Sequence, residues 1–360
     1  MITADGCRQR RRRFLERFPL TSPVLLGDPL HLRYLANLFV DPLSLSAEFG
    51  ALLLVKPDGT AVLFHDNRLP RTSVERCFVE ERTVLPWYDG LTPGRGPRGV
   101  RLREVVQAHG GRVHDSLTDP QAVEVHTILA DLRRVKDADE VAMLRACMRA
   151  TDAGHAWARA NLRPGMTELD LYAGIAATCH RAAGEWGVVY GDFVACPGPA
   201  RRVGPPTPRV LREGELVIVD FSVVLQGYRS DFTNTLAVGG KPSAEQTRMM
   251  DLCLKAMAAG EATLRDGTTC QTVYDAVKGV FQAADMAEGF PHHAGHGLGV
   301  SHPEAPFIVR ESTETLRAGD VVTLEPGLYF DEVGGMRIEH NYLVTPEGFE
   351  RLSHHHIGLT

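Results

Sequence analysis

The chain has 360 residues, 44% of them apolar and 23% charged, with a formal net charge of -6. That is the composition of a globular protein long enough for two domains, and its mild acidity leaves no basic stripe to neutralise a nucleic-acid backbone. No apolar run reaches membrane-spanning length and the scattered cysteines form no C-x-x-C pair, so a spanning helix, a disulfide framework and a zinc knuckle are not expected.

The run from Arg10 to Arg13 lies beside Phe14, Leu15 and Phe18 and reads as the solvated side of a first helix. No apolar signal-peptide core follows it, so a cytoplasmic protein is expected. Val24 to Leu26 reads as a buried strand, His31 to Leu38 as a short helix, and Ala51 to Phe64 as a hairpin turning at Pro57-Asp58-Gly59. A surface loop is expected between Pro93 and Gly99. Asp119-Pro120 is predicted to open a helix, with Asp as cap and Pro in the first turn. The polar stretch Arg133 to Glu140 is the best boundary, dividing residues 1–132 from 133–360. Asp137 and Glu140 then make a capping box for a long helix whose apolar face carries Val141, Leu144, Ala146 and Met148. Helical and strand patterns alternate, giving an α/β (α+β) class.

The second part contains a repeat. Arg163-Pro-Gly-Met-Thr167 and Arg265-Asp-Gly-Thr-Thr269 lead into helices carrying Tyr172 and Tyr274, at an offset of 102 residues. Arg212-Glu-Gly-Glu-Leu-Val217 runs to Asp220 and Arg317-Ala-Gly-Asp-Val-Val322 to Glu325, at an offset of 105. Two copies of one helix-then-strand unit imply a pseudo-two-fold domain, with a carboxylate reaching the shared axis from each half. Asp220 is predicted on a strand over Leu216 to Val224, with Asp231 beyond a turn at Gly227, so that both face one another across a hairpin. Glu325 and Glu339 are expected to sit likewise, with Gly334-Gly335 as the turn.

Asp220 falls inside an apolar run and Glu325 between Leu324 and Pro326, where an unpaired charge is costly. With Asp231, His296 and Glu339 they make a set of carboxylates and one imidazole suited to two divalent ions, manganese first, with cobalt or zinc possible. Such a pair activates water for amide hydrolysis, and Glu325 is placed to shuttle its proton.

The segments Val219-Asp220-Phe221, Gly227 to Thr233, Gly295 to Gly299, Leu324 to Tyr329 and Gly335 to Glu339 resemble the pita-bread metallopeptidases, most closely prolidase (Xaa-Pro dipeptidase) and aminopeptidase P. The resemblance implies a creatinase-type N-terminal domain before a pita-bread catalytic domain. It also implies a dinuclear centre held by Asp220, Asp231, His296, Glu325 and Glu339, with His292 and His302 as catalytic histidines and Tyr329 and Arg337 as substrate-side residues. The implied substrate is a short Xaa-Pro peptide and the implied assembly a homodimer. Three positions depart from the pattern: Val203 and Pro303 stand where the family carries histidines, with His302 one place early, and Asn234 replaces an arginine. An aminopeptidase P acting on longer peptides, a creatinase-like C–N hydrolase and a non-catalytic pita-bread binding protein are the other readings.

Overall fold

The computed structural model describes residues 1–18, 22–41 and 50–360, which divide into two compact units, Met1–Arg133 and Arg134–Thr360.

In the first unit, helix α1 (Ala4–Arg17) precedes strand β1 (Val24–Leu26) and helix α2 (Pro29–Ala36), whose N-cap is Asp28. Strands β2 (Ala51–Val55) and β3 (Ala61–Asp66) form the expected hairpin. After α3 (Arg71–Glu75), strand β4 (Glu81–Leu85) adds in parallel to β3, and the sheet runs β1-β2-β3-β4. Helices α4 (Arg103–Ala108) and α5 (Ala122–Leu132) complete the unit. The apolar run Leu52-Leu53-Leu54 is continuous because both faces of β2 are covered: Leu53 joins one core with Val24 and Leu63, while Leu52 and Leu54 join another with Leu25 and Val62.

Two expectations fail here. Asp119-Pro120 does not open α5; Asp119 accepts the Gln121 N–H in a turn at 2.9 Å and the helix starts at Ala122. Nor is the arginine run one solvated face, since Arg10 and Arg11 are fully buried while Arg12 is exposed and Arg13 half-buried. Arg11 donates to the carbonyls of Gly59, Leu35 and Phe78 at 2.8, 3.0 and 3.0 Å and to Glu80 at 3.2 Å. Arg10 donates to the Tyr34 carbonyl at 2.9 Å. Guanidinium donors thus satisfy carbonyls at the ends of neighbouring elements, a use of arginine that a linear charge pattern does not reveal.

The second unit opens with α6 (Ala138–Asn161), started by the expected Asp137–Glu140 capping box, and α7 (Glu168–Ala183). Strands β5 (Val188–Ala195), β6 (Leu216–Leu225), β7 (Tyr228–Arg229) and β8 (Phe232–Ala237) form one antiparallel sheet in which β6 is central. Helices α8 (Ala244–Glu261) and α9 (Cys270–Ala283) follow. Next come β9 (Gly295–Gly297), β10 (Glu304–Ile308) and β11 (Val321–Leu324), then the hairpin β12 (Gly327–Phe330) with β13 (Gly334–Arg337), then β14 (His340–Val344) and β15 (Phe349–Arg351). Their second sheet runs β10-β9-β11-β14-β15.

The repeat is written into the backbone. Thr167 and Thr269 cap α7 and α9, and each makes one isolated bridge, Thr167 to Val210 and Thr269 to Thr315, which keep the same two offsets. Gly214 and Gly319 enter β6 and β11 with φ of 82° and 97°, a left-handed turn that disfavours any side chain. Asp220 and Glu325 therefore arrive at equivalent places from equivalent strands.

Candidate metal centre

Strand alternation puts Asp220 on the face of β6 opposite the buried Val219 and Phe221, paired across to Thr233 on β8 and to Asp192 on β5. The β6–β7 turn at Gln226-Gly227 returns the chain so that Asp231 comes beside Ser222, whose hydroxyl lies 3.3 Å from Asp231 Oδ1. Both aspartates thus share one face, as expected. Glu325 and Glu339 differ in detail. They flank the open end of the β12–β13 hairpin, where Gly327 pairs with Arg337, and the turn is made by residues 331–333 with Gly334 and Gly335 already in the strand. Glu339 N–H donates to the Thr233 carbonyl at 2.9 Å, joining the two halves at the site. His296 sits between glycines because a Cβ on Gly295 would meet Thr323 O at 2.0 Å and one on Gly297 would meet Ala305 O at 2.2 Å. Its Nδ1 is 3.0 Å from the Gly297 carbonyl, which turns Nε2 toward Asp231 at 3.6 Å and Glu325 at 3.5 Å.

These residues line a cavity of about 430 Å³ that also takes in Asp192, Arg202, Val203, His292, His293 and His302. Three overlapping groups have ligand atoms within 4.8 Å of one another: Asp220, Asp231 and Glu339; Asp231, His296 and His302; His293, His296 and Glu325. All five residues expected as ligands are therefore brought together, and His302, despite its displaced position, reaches Asp231 at 2.5 Å. His292 keeps an Nε2 that is buried without a partner among the described residues.

The electrostatics describe a set of carboxylates in need of cations. Burial, with the charges of Asp231, Asp192 and Glu325, pushes Asp220 up to about 7 even though Arg337 opposes the shift. Burial, with the charges of Asp231, Glu325 and Asp220, drives Glu339 well above its ordinary range. One of its oxygens accepts from Thr233 at 2.7 Å and the other, Oε1, is buried with no partner among the described residues. Burial would raise Asp231 too, but the His302 hydrogen bond and the charges of His302 and His296 hold it below the usual range. Oxygen donors with one imidazole, an orphaned carboxylate oxygen and mutually repelling carboxylates fit divalent cations.

Other residues were less legible in the chain. His293 stands 3.0 Å from Glu325 Oε1, where it was His292 that the resemblance singled out. Asp192, directly opposite Asp220, lies 3.5 Å from Arg337; its only sequence signal is one charge inside an apolar strand. Arg337 is buried against Asp220 and donates to Tyr329 Oη at 3.0 Å, so Tyr329 stands behind Arg337 as its support. Asn234 faces away, exchanging two hydrogen bonds of 3.0 Å with the backbone of Gly358.

The sequence model for metallopeptidase family M24 matches residues 142–346. An uncharacterized peptidase of Staphylococcus aureus is 30% identical over 316 residues, covering 84% of this chain and 87% of its own. One from Staphylococcus saprophyticus is 28% identical over 349 residues, covering 91% and 93%. Among solved structures, dipeptidase PepE from Mycobacterium ulcerans is 27% identical with a TM-score of 0.76 over 100% of this chain and 98% of that one. A Xaa-Pro dipeptidase from Bacillus anthracis shares the fold with a TM-score of 0.78 at 23% identity, covering 99% of both chains.

Proposed function

The chain belongs to metallopeptidase family M24, with the pita-bread fold that its motifs implied, and we propose that it hydrolyses the peptide bond before proline in short peptides. The observation that carries the metal-dependent part is the crowding of Asp220 and Glu339 on Asp231, with Asp231 and Glu325 3.6 and 3.5 Å from His296 Nε2 and with Glu339 Oε1 buried and unpartnered among the described residues. Two divalent ions held by these five residues, manganese first and cobalt or zinc as alternatives, would supply Lewis acidity and lower the pKa of a water.

The chain's own groups do the rest. Glu325 receives the proton of the attacking water on a carboxylate oxygen and delivers it to the leaving nitrogen, while His293 and Thr323, at 3.0 and 3.2 Å from Oε1, hold that carboxylate in place. His292 and His302 enter the cavity from opposite sequence flanks of His296 and are the groups in this reading that bond to the substrate carbonyl oxygen as it gains charge. Arg337, clamped by Tyr329, Asp192 and Asp220, orients the Asp220 carboxylate. The creatinase-like character of residues 1–132, a homodimer and a cytoplasmic location belong to the same reading and rest on the family resemblance. Among the described residues no helix is long and apolar enough to cross a membrane.

The test is a panel assayed with added manganese: Ala-Pro, Leu-Pro, Ala-Pro-Ala, Ala-Leu and creatine. Xaa-Pro dipeptides should be cleaved fastest. Preference for Ala-Leu overturns the proline assignment, preference for Ala-Pro-Ala makes the enzyme an aminopeptidase P, and turnover of creatine alone makes it a C–N hydrolase of another kind.

A further inference from the structure

One cation of the cavity has no assigned task. Arg337 is committed to Asp220, Asp192 and Tyr329, whereas Arg202, also in the cavity wall, has neither an ion-pair nor a hydrogen-bond partner among the described residues. Its guanidinium lies over the Tyr329 ring at 5.8 Å, a half-buried position on the face of the residue that supports Arg337. Four carboxylates that bind two divalent ions are charge-balanced, so Arg202 is left over.

Its location is built. Arg201 pairs with the fully buried Glu168 at 3.2 Å, and Glu168 also accepts from Ala195 N–H at 2.9 Å and Thr207 N–H at 3.0 Å. On the other side, Gly204 N–H donates to Asp192 Oδ1 at 2.9 Å and Gly204 O accepts from Phe193 N–H at 3.0 Å. Arg202 is held between these two pins and projects to the cavity while Arg201 is drawn away from it. Val203, at the place where the family carries a histidine, is 63% exposed, so a neighbour of that position supplies the polar group on this wall.

We infer that Arg202 binds the C-terminal carboxylate of the substrate and makes this enzyme prefer dipeptides to longer or amidated peptides; this rests on the Xaa-Pro peptidase reading. In a dipeptide the terminal carboxylate belongs to the residue just beyond the scissile bond, within one Cα step of about 3.8 Å from the preceding residue. A cavity of 430 Å³ is at the small end of ligand sites, which run roughly 300–1,000 Å³. A planar guanidinium takes a carboxylate through two parallel hydrogen bonds, and an arginine already pinned on its loop loses little freedom in doing so. A peptide amide at the same place presents no charge and donates where Arg202 also donates.

The experiment compares Ala-Pro with Ala-Pro-amide, and Ala-Ala with Ala-Ala-amide, on the metal-supplied wild type, Arg202→Ala and Arg202→Lys. In Arg202→Ala, KM for the free acid should rise on the order of 10–100-fold with kcat changed by less than about threefold, and KM for the amide should move far less. Arg202→Lys should recover part of the loss. On the wild type alone, L-proline should inhibit at a concentration at least about tenfold below that of L-prolinamide. Equal changes for acid and amide, a loss confined to kcat, or equal inhibition by proline and prolinamide would overturn the assignment. A wild type that cleaves Ala-Ala but not Ala-Pro defeats the proline reading instead, and Arg202 is then judged on Ala-Ala and its amide by the same criteria.

Discussion

Both units of this protein bury charged side chains, and they resolve the cost differently. In the first unit the best-buried of these groups meet complements of opposite character: Arg11 has three carbonyls and Glu80, Arg98 has Asp66, and His31 has Asp115, which also accepts from Gly27 and Asp28 N–H. In the second unit the carboxylates of the cavity face one another, Glu339 Oε1 has no partner among the described residues, and Asp220 is pushed up to about 7 by burial and by its neighbours. A buried charge whose partners are complete belongs to the architecture. In the cavity, an unpartnered carboxylate oxygen among carboxylates that repel one another marks where a cation from solution completes the structure.

The contrast makes commitments of different size. The largest concerns Asp231: Asp231→Asn should fold and lose hydrolysis by more than the ~100-fold typical of losing an outer partner of a metal ligand, read as kcat/KM on Ala-Pro with circular dichroism unchanged. Full activity would remove Asp231 from the site. Next, Arg11→Met orphans three carbonyls and leaves the partly solvated Glu80 with only Arg8 and the Ala61 N–H, and should cost about 3 kcal/mol of stability by urea denaturation while leaving kcat of the folded enzyme intact. A neutral effect would mean that completeness of partners is not what holds α1.

A third, smaller effect comes from a buried group kept neutral. His155, stacked between Phe221, Phe232 and His355, is held down to about 3 by burial, against the pull of its hydrogen bond to Phe232 O. The unfolded chain binds this proton below about pH 6.5 and the folded state refuses it, so stability is lost as pH falls from 6.5 toward 3, by about 2 kcal/mol at pH 5. The urea midpoint should therefore fall between pH 7.5 and 5, and fall less in His155→Phe. The smallest expectation reverses the sign of the arginine result. In chelator-treated protein, Glu339→Gln relieves repulsion among the carboxylates and should raise the melting temperature by about 2–4 °C, equivalent to about 1 kcal/mol. A lower melting temperature would show that Glu339 is needed by the scaffold itself.

The chain itself was enough to locate the repeat, the β2–β3 hairpin, the α6 cap, the paired aspartates of the β6 hairpin and the five residues that meet in the cavity. These depend on local rules: strand alternation, turn glycines, capping spacing, and the price of a carboxylate inside an apolar run. Only the tertiary structure put His293 against Glu325, Asp192 opposite Asp220, and Arg202 in the cavity wall with Arg201 turned to Glu168. It also buried Arg10 and Arg11, which looked solvated in the sequence, and moved the start of α5 past Asp119. The division has a physical cause. A residue's place on its own strand or turn follows from neighbours a few positions away, whereas the partner of a buried arginine or histidine is chosen by which carbonyl or carboxylate a distant segment brings within 3 Å, and sequence spacing carries no record of that distance.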